Sequence, residues 1–338
     1  MPGKKEPNEA AMSDACFDYH DCLSGASFQE GDFPFPLLHV PSLPAIPEGV
    51  RKVLSPGGCH FAAELVRLAL EEDGPDLTSL GIFSPEEISS AYIVAKQDTI
   101  VIGLPFISLV AAMTGMPENC WSAEVEEGSV VQSGAVIARL HGRTMQLLKA
   151  ERIILNILAH LSGVGNMTRE YASRLEGTGV RLLDTRKTLP GFRHLEKYAV
   201  RVAGGVNHRM DLAEMLMIKD NHTDAAGGIT KAVEALRRCY HPCPPIEIEC
   251  RSRAEVEEAV SCRPERILLD NMDCAMLAEV LPLIPRAIEA EISGGVTLES
   301  IRALALSSAE RPADFISVGR ITHSVPSADF SMRMERCS

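Results

Sequence analysis

The chain has 338 residues, of which 46% are hydrophobic and 23% charged, enough for one large domain or two ordinary ones. Its net charge of -13 excludes the broad basic surface that a nucleic-acid partner requires. Ten cysteines without paired spacing read as reduced thiols, and the first eleven residues carry no apolar signal segment, so a cytoplasmic protein is expected.

In chain order, residues 1–48 are rich in Pro, Asp, Ser and Gly and lack a sustained period. They read as a poorly ordered extension. A helical pattern starts near Phe61 (FAAELVRLALEED). Strand-like runs follow at AYIVAK and TIVIGL. The apolar window from Thr99 to Met116 is broken by Gly103, Pro105 and Ser108. It reads as strand, turn and helix, with no membrane span. The stretch EEGSVVQSGAVIARL, punctuated by Gly128 and Gly134, predicts a structural hairpin. Thr144 to Leu161 predicts a long helix in which Arg152 is expensive unless its head finds water or an anion.

The second half changes character. Six strand-like runs (VRLLDTRK, EMLMIKDNH, PIEIEC, RILLDN, AIEAEISGG, DFISVGR) alternate with helix-like segments. Repeated β-then-α units imply parallel strands covered by helices, and in a β/α barrel the C-terminal strand ends carry the site. Those ends hold Arg186/Lys187, Lys219/Asp220/Asn221, Glu249, Asp270/Asn271, Ser293/Gly294/Gly295 and Gly319. Between Arg181 and Lys219, eight Lys/Arg stand against four acids, a net +4 inside an acidic protein. That pattern marks a focused anion site. The cations suit phosphate or carboxylate, the separated carboxylates suit sugar hydroxyls or a metal, and the glycines let backbone N–H groups approach a phosphate. Together they describe a site for a phosphorylated sugar beside a small acid.

Several residues have a plainer reading. Asp184 is taken as structural, Asn271 as orienting Asp270, and Glu247 as alternating across the strand from Glu249, a weaker candidate that backs the site or forms a salt bridge. His222 and His323 read as satisfied loop histidines. Arg193 and Lys197 are expected to add only to the local potential, and Cys239-Tyr-His241-Pro-Cys243 lacks the second ligand pair of a zinc site.

The ordered motifs DTRKTLPG, LEKYAV, GGVNHR, IKDNH, EIEC, LLDN and SGG resemble the quinolinate phosphoribosyltransferase family, from about Leu65 to Asp329. The resemblance implies an α/β fold: an α+β open sandwich N-terminal domain, then an incomplete α/β barrel of about six or seven parallel strands. The sandwich is expected over residues 49–160 with the return of 322–338, and the catalytic barrel over 161–321. It implies transfer of phosphoribosyl from phosphoribosyl pyrophosphate to quinolinate with loss of CO2, giving nicotinate mononucleotide and pyrophosphate for NAD synthesis. No covalent cofactor is implied. It also implies a homodimer or hexamer in which Arg152 reaches the neighbouring chain's site.

By matched motif, Arg152, Arg186, His208 and Arg209, counted together as cations, are expected to pin the quinolinate dianion. Lys187 and Lys219 are expected near the phosphates and the departing carboxylate, with Thr188 among the substrate-binding residues. Glu249 and Asp270 are expected on the ribose hydroxyls, touching Mg2+ only indirectly, through pyrophosphate. Ser293, Gly294, Gly295 and Gly319 are expected to cradle the 5′-phosphate. The turn EEDGPDLTS is shorter than the family pattern, which bears on subunit packing more than on the chemistry. Rival readings are a relative acting on nicotinate, or the one found beside molybdate transport. A barrel lyase with Lys187 or Lys219 as a Schiff base and an inactive scaffold are others.

Overall fold

The structure is a computed structural model that describes residues 45–336. The extension expected over residues 1–48 lies outside the described residues up to position 44, and Glu48–Val53 is already a short helix. The described residues belong to one compact unit. Among them, no helix is long and apolar enough to cross a membrane.

The first half builds an antiparallel sheet. Its strands are β1 (Ile88–Ala95), β3 (Trp121–Ala123) and β5 (Val136–Arg143), and the last strand of the chain, β12 (Phe330–Arg336), joins them in the order β12-β1-β5-β3. Burial along β1 favours alternate residues over its first half, as a sheet with one covered face requires. The expected hairpin does not form. β4 (Val130–Val131) pairs with β2 (Thr99–Ile100), while β5 pairs with β1 and β3. The reason lies in the intervening turn. Gly134 N–H donates to the carbonyl of Ala95 at 2.7 Å and Ser133 N–H to the Asp98 carboxylate at 2.8 Å. Apolar alternation specifies a strand and its buried face, and leaves the partner to be set by such contacts.

The long helix runs Thr144–Leu175, 32 residues, well past Leu161. At 1.5 Å per residue it spans roughly 48 Å. The glycines after Leu161 look like a stop in sequence. In the structure they are points of close approach. A Cβ on Gly163 would collide with the Pro326 carbonyl, and one on Gly165 would lie 2.5 Å from Ile102 Cδ1.

The second half is a six-stranded parallel sheet. Its members are β6 (Arg181–Leu183), β7 (Leu216–Ile218), β8 (Ile246–Cys250), β9 (Arg266–Asp270), β10 (Glu289–Ser293) and β11 (Phe315–Ser317). They lie in the order β6-β11-β10-β9-β8-β7, so all six predicted runs are strands of one sheet. β6 and β7 are not paired with each other, which leaves the barrel incomplete. One set of alternate residues (Ile246, Ile248, Ile267, Leu269, Ala290, Ile292, Ile316) is at most 1% exposed. Burying each such isoleucine or leucine contributes about 2 kcal/mol. The other set contains Glu247, Glu249, Arg266, Asp270, Glu289, Glu291, Ser293 and Ser317. Residues two apart share a face, so Glu247 lies on the side of Glu249, one layer deeper. The reading of Glu247 as pointing across the strand is therefore corrected.

Candidate active site

Register brings the strand ends level. Ser293 lies beside Asp270 on neighbouring strands, and Glu249 and Glu291 both lie beside Leu268. A cavity of about 160 Å³ opens there. Of the predicted residues it gathers Arg186, Lys187, His208, Arg209, Lys219, Glu249, Asp270 and Ser293. Thr185, Glu291 and Ser317 also line it and were not anticipated. The signal for Glu291 was available, since it sits two residues before Ser293 and so on the same face.

The cationic wall is held from behind. Asp184 is completely buried and accepts from Lys197, from Asn207 Nδ2 at 2.6 Å and from the His208 N–H at 2.8 Å. Lys197 also donates to the His208 carbonyl at 2.8 Å. Asp184 is structural, as expected. Lys197 adds no exposed potential, because it too is wholly buried and neutralised by Asp184. This pair fixes the loop that presents His208 and Arg209. Arg209 is anchored by its Nη1 donating to Met215 O at 2.7 Å. Burial, then the neighbouring Arg186 cation, press its pKa down from the guanidinium norm. Arg186 Nε is buried with no hydrogen-bond partner. A buried, unpaired guanidinium edge beside a second Arg is costly until an anion meets it.

On the opposite side, Glu249 Oε2 stands 4.0 Å from Lys219 Nζ. Burial raises the Glu249 pKa, with Lys219 opposing and Asp270 adding to the rise. Asn271 Nδ2 donates to Asp270 Oδ2 at 2.7 Å, which bears out its orienting role. The glycines differ among themselves. Gly294 (φ +91°) and Gly295 (φ +58°) occupy left-handed backbone, and a Cβ on Gly294 would collide with the Asn271 carboxamide. Gly319 has an ordinary φ of -69° and is needed for closeness, since a Cβ would lie 3.0 Å from Lys187 Cδ.

Two predicted residues lie elsewhere. Thr188 does not line the cavity; its hydroxyl accepts from Arg193 Nε at 3.2 Å. Arg152 is exposed on the long helix and lines a separate cavity with Leu65, Glu72, Asp73, Asn156 and Phe192. His222 and His323 are satisfied locally. The Lys219 N–H donates to His222 Nδ1 at 3.0 Å, and His323 Nδ1 is 2.6 Å from Ser324 Oγ.

His208 requires a correction of charge. The Arg209 N–H donates to His208 Nδ1 at 2.7 Å, so Nδ1 is an acceptor and the ring proton sits on Nε2. Burial lowers its pKa. His208 is therefore neutral, and the cations in this wall are Arg186, Arg209 and the two lysines. Its Nε2 lies 3.0 Å from Glu247 Oε2 and 3.5 Å from Glu291 Oε2. Both carboxyls are completely buried. Burial pushes the pKa of Glu247 up to about 7. Burial, then the charge of Glu247, pushes that of Glu291 up to about 8. Among the described residues these three form the one cluster close enough to hold a metal ion, and the Cys239–Cys243 segment is not in it.

Comparison with known proteins gives a consistent set of relatives. Residues 76–162 match the family described as "Quinolinate phosphoribosyl transferase, N-terminal domain" and residues 164–333 its C-terminal domain. A Bacillus subtilis protein named probable nicotinate-nucleotide pyrophosphorylase [carboxylating] is 40% identical over 265 residues, 78% of this chain and 89% of the relative. A Nicotiana tabacum quinolinate phosphoribosyltransferase [decarboxylating] is 33% identical over 292 residues, 80% of this chain and 81% of the relative. The solved structure of the nicotinate-nucleotide pyrophosphorylase from Francisella tularensis superposes with a TM-score of 0.76 at 30% identity, covering 84% of this chain and 99% of that one.

Proposed function

The chain belongs to the quinolinate phosphoribosyltransferase family, and from that premise we propose that it transfers phosphoribosyl from phosphoribosyl pyrophosphate to quinolinate and releases CO2. The observation that carries this reading is the unpaired, buried Arg186 edge beside Arg209, in the cavity that also holds Lys187, Lys219, Glu249 and Asp270. Two guanidinium groups suit a dicarboxylate, because each fork can meet one carboxylate with two bonds. A single carboxylate, as in nicotinate, would leave one of them unmet.

The residues divide the work. Arg186 and Arg209 hold the acid so that its ring nitrogen faces ribose C1. Glu249 and Asp270 hold the ribose hydroxyls, and their negative charge favours the oxocarbenium-like state that forms as the C1–O bond breaks. Lys187 and Lys219 meet the phosphate charge that departs. A Mg2+ ion carried on the pyrophosphate would supply positive charge to offset the leaving anion, with Glu249 and Asp270 meeting it only through the pyrophosphate. The carboxylates of Glu249 and Asp270 belong to the donor class a hard divalent cation accepts. Ser293, Gly294 and Gly295 offer backbone and hydroxyl donors for the 5′-phosphate. Once nitrogen is quaternary it acts as the electron sink for loss of the neighbouring carboxylate. The protein's task is orientation and electrostatics.

Arg152 enters from a second copy of the chain. Its exposed place on the long helix, in a cavity apart from the strand ends, supports that arrangement. The test is acceptor choice: purified protein with Mg2+ and phosphoribosyl pyrophosphate, supplied with quinolinate or nicotinate, with mononucleotide measured chromatographically. Product from quinolinate and not from nicotinate supports the reading. Product from nicotinate alone replaces the acceptor and keeps the donor.

A further inference from the structure

At the base of the cavity lies a layer that the reaction as described does not use. It contains His208, Glu247 on β8, Arg266 on β9 and Glu291 on β10. In parallel barrels this position is ordinarily filled by branched apolar side chains. Here Arg266 Nη1 reaches Glu291 Oε2 at 3.2 Å, and its Nε and Nη2 bond Glu289 Oε2 at 3.0 and 2.7 Å. One side of Arg266 packs over the Phe315 ring at 4.6 Å. Glu291 Oε1, both oxygens of Glu247 and His208 Nε2 are all buried without a hydrogen-bond partner, although Nε2 lies 3.0 Å from Glu247 Oε2. One cation and a neutral histidine thus face two fully buried carboxyls, and Arg266 is shared with Glu289.

A metal ion would balance this charge, but the histidine faces the wrong way for one. Ligation through Nε2 requires the proton on Nδ1, and Nδ1 is already the acceptor for the Arg209 N–H. Nε2 therefore carries a proton, close to the carboxyls but without a hydrogen bond to either. A proton can balance the charge where an ion cannot. Two carboxyls this close and this buried keep one proton between them. Glu291 also lines the substrate cavity, which Glu247 does not.

We infer that Glu291, sharing a proton with Glu247 and held by Arg266, is the acid that places hydrogen on the pyridine C2 when CO2 leaves. This rests on the proposed function and adds the step it lacks. The C2–carboxylate bond breaks with its electron pair staying on C2. That pair takes the Glu291 proton, a C–H bond forms, and Glu291 becomes a carboxylate held by Arg266. A proton from water restores it after product leaves. The charged and titratable groups facing the pair are His208, Arg266, Arg209 and Glu289, and His208 in turn feels Lys197 and Asp184.

The test compares wild type, Glu291→Gln and Glu291→Asp. Formation of mononucleotide and CO2 from quinolinate is followed in single turnovers across pH 6–9, with quinolinate binding by calorimetry. Infrared difference spectra report protonated carboxyl groups in the resting protein. The expected result is a roughly 100-fold slower turnover for Glu291→Gln, with quinolinate affinity within threefold. Wild-type turnover falls as pH rises and that fall is lost in Glu291→Gln; Glu291→Asp recovers part of the rate; and a protonated-carboxyl band at neutral pH disappears in Glu291→Gln. Turnover of Glu291→Gln within threefold of wild type overturns the inference, as does equal loss of binding and turnover. Absence of the band in wild type overturns it as well, and can be read even if quinolinate is not turned over. Lack of wild-type turnover is a failure of the proposed function, seen separately.

Discussion

Two layers of the same barrel treat charge in opposite ways. At the mouth, Lys187, Lys219 and Glu249 keep contact with water, and Arg186 leaves one edge unpaired. One layer down, Glu247 and Glu291 are completely buried, and Arg266 nearly so. Lys187, Lys219 and Glu249 can wait for a ligand because water solvates them meanwhile, whereas the buried Arg186 edge stays unmet until an anion arrives. Floor charges must be balanced by one another or by a proton. The difference separates residues that bind from residues that hold position or exchange a proton.

The largest expected break in this contrast is at the mouth. Arg186→Ala removes a two-bond carboxylate contact and should lower kcat/KM for quinolinate by about 1,000-fold, or about 4 kcal/mol, with stability unchanged. Steady-state kinetics beside thermal unfolding checks both halves. At the floor the sign of the contrast reverses. Lys197→Met leaves the Asp184 charge buried and unpaired and should cost about 3–5 kcal/mol of stability, read by denaturant unfolding.

Arg152 sharpens the distinction, since it belongs to neither layer of its own chain. Arg152→Ala should lower activity by about 100-fold. Mixing it with inactive Lys219→Ala should recover roughly a quarter of wild-type activity through hybrid dimers, each with one intact site. Recovery is measured after unfolding and refolding the two variants together. No recovery would place Arg152 outside the neighbouring site.

pH separates the layers again. Glu247 and Glu291 titrate at about 7 and about 8 in the fold, above the unfolded value of about 4.3. Their contribution to stability is therefore fully present below the unfolded value and is lost as pH rises through 7 and 8. The melting temperature should decline from pH 6 to pH 9, and less steeply in Glu291→Gln. The smallest effect is expected at Thr188, whose hydroxyl serves Arg193 and not the cavity. Thr188→Val should change kcat/KM by less than about threefold.

Much of the barrel was legible because each strand is an apolar run ending in polar or glycine residues. Eight predicted site residues meet in one cavity for that reason. Other features needed three dimensions. The Gly134 turn does not state that it bonds to β1, so the expected hairpin was wrong. Gly163 and Gly165 look like helix breakers until Pro326 and Ile102 are seen against them. His208 looks like a cation until the Arg209 N–H is found on its Nδ1. Glu291 could have been found by counting in twos from Ser293, but an acid inside an apolar run is usually assigned to the solvent face. The shared proton depends on neighbours brought together from three strands and a loop.

The most direct test of the central claim uses quinolinate labelled in its C2 carboxylate, with Mg2+ and phosphoribosyl pyrophosphate. Labelled CO2 and nicotinate mononucleotide are counted together. The account predicts equal amounts of both, dependent on all three additions. Mononucleotide without CO2, or no product at all, would contradict it.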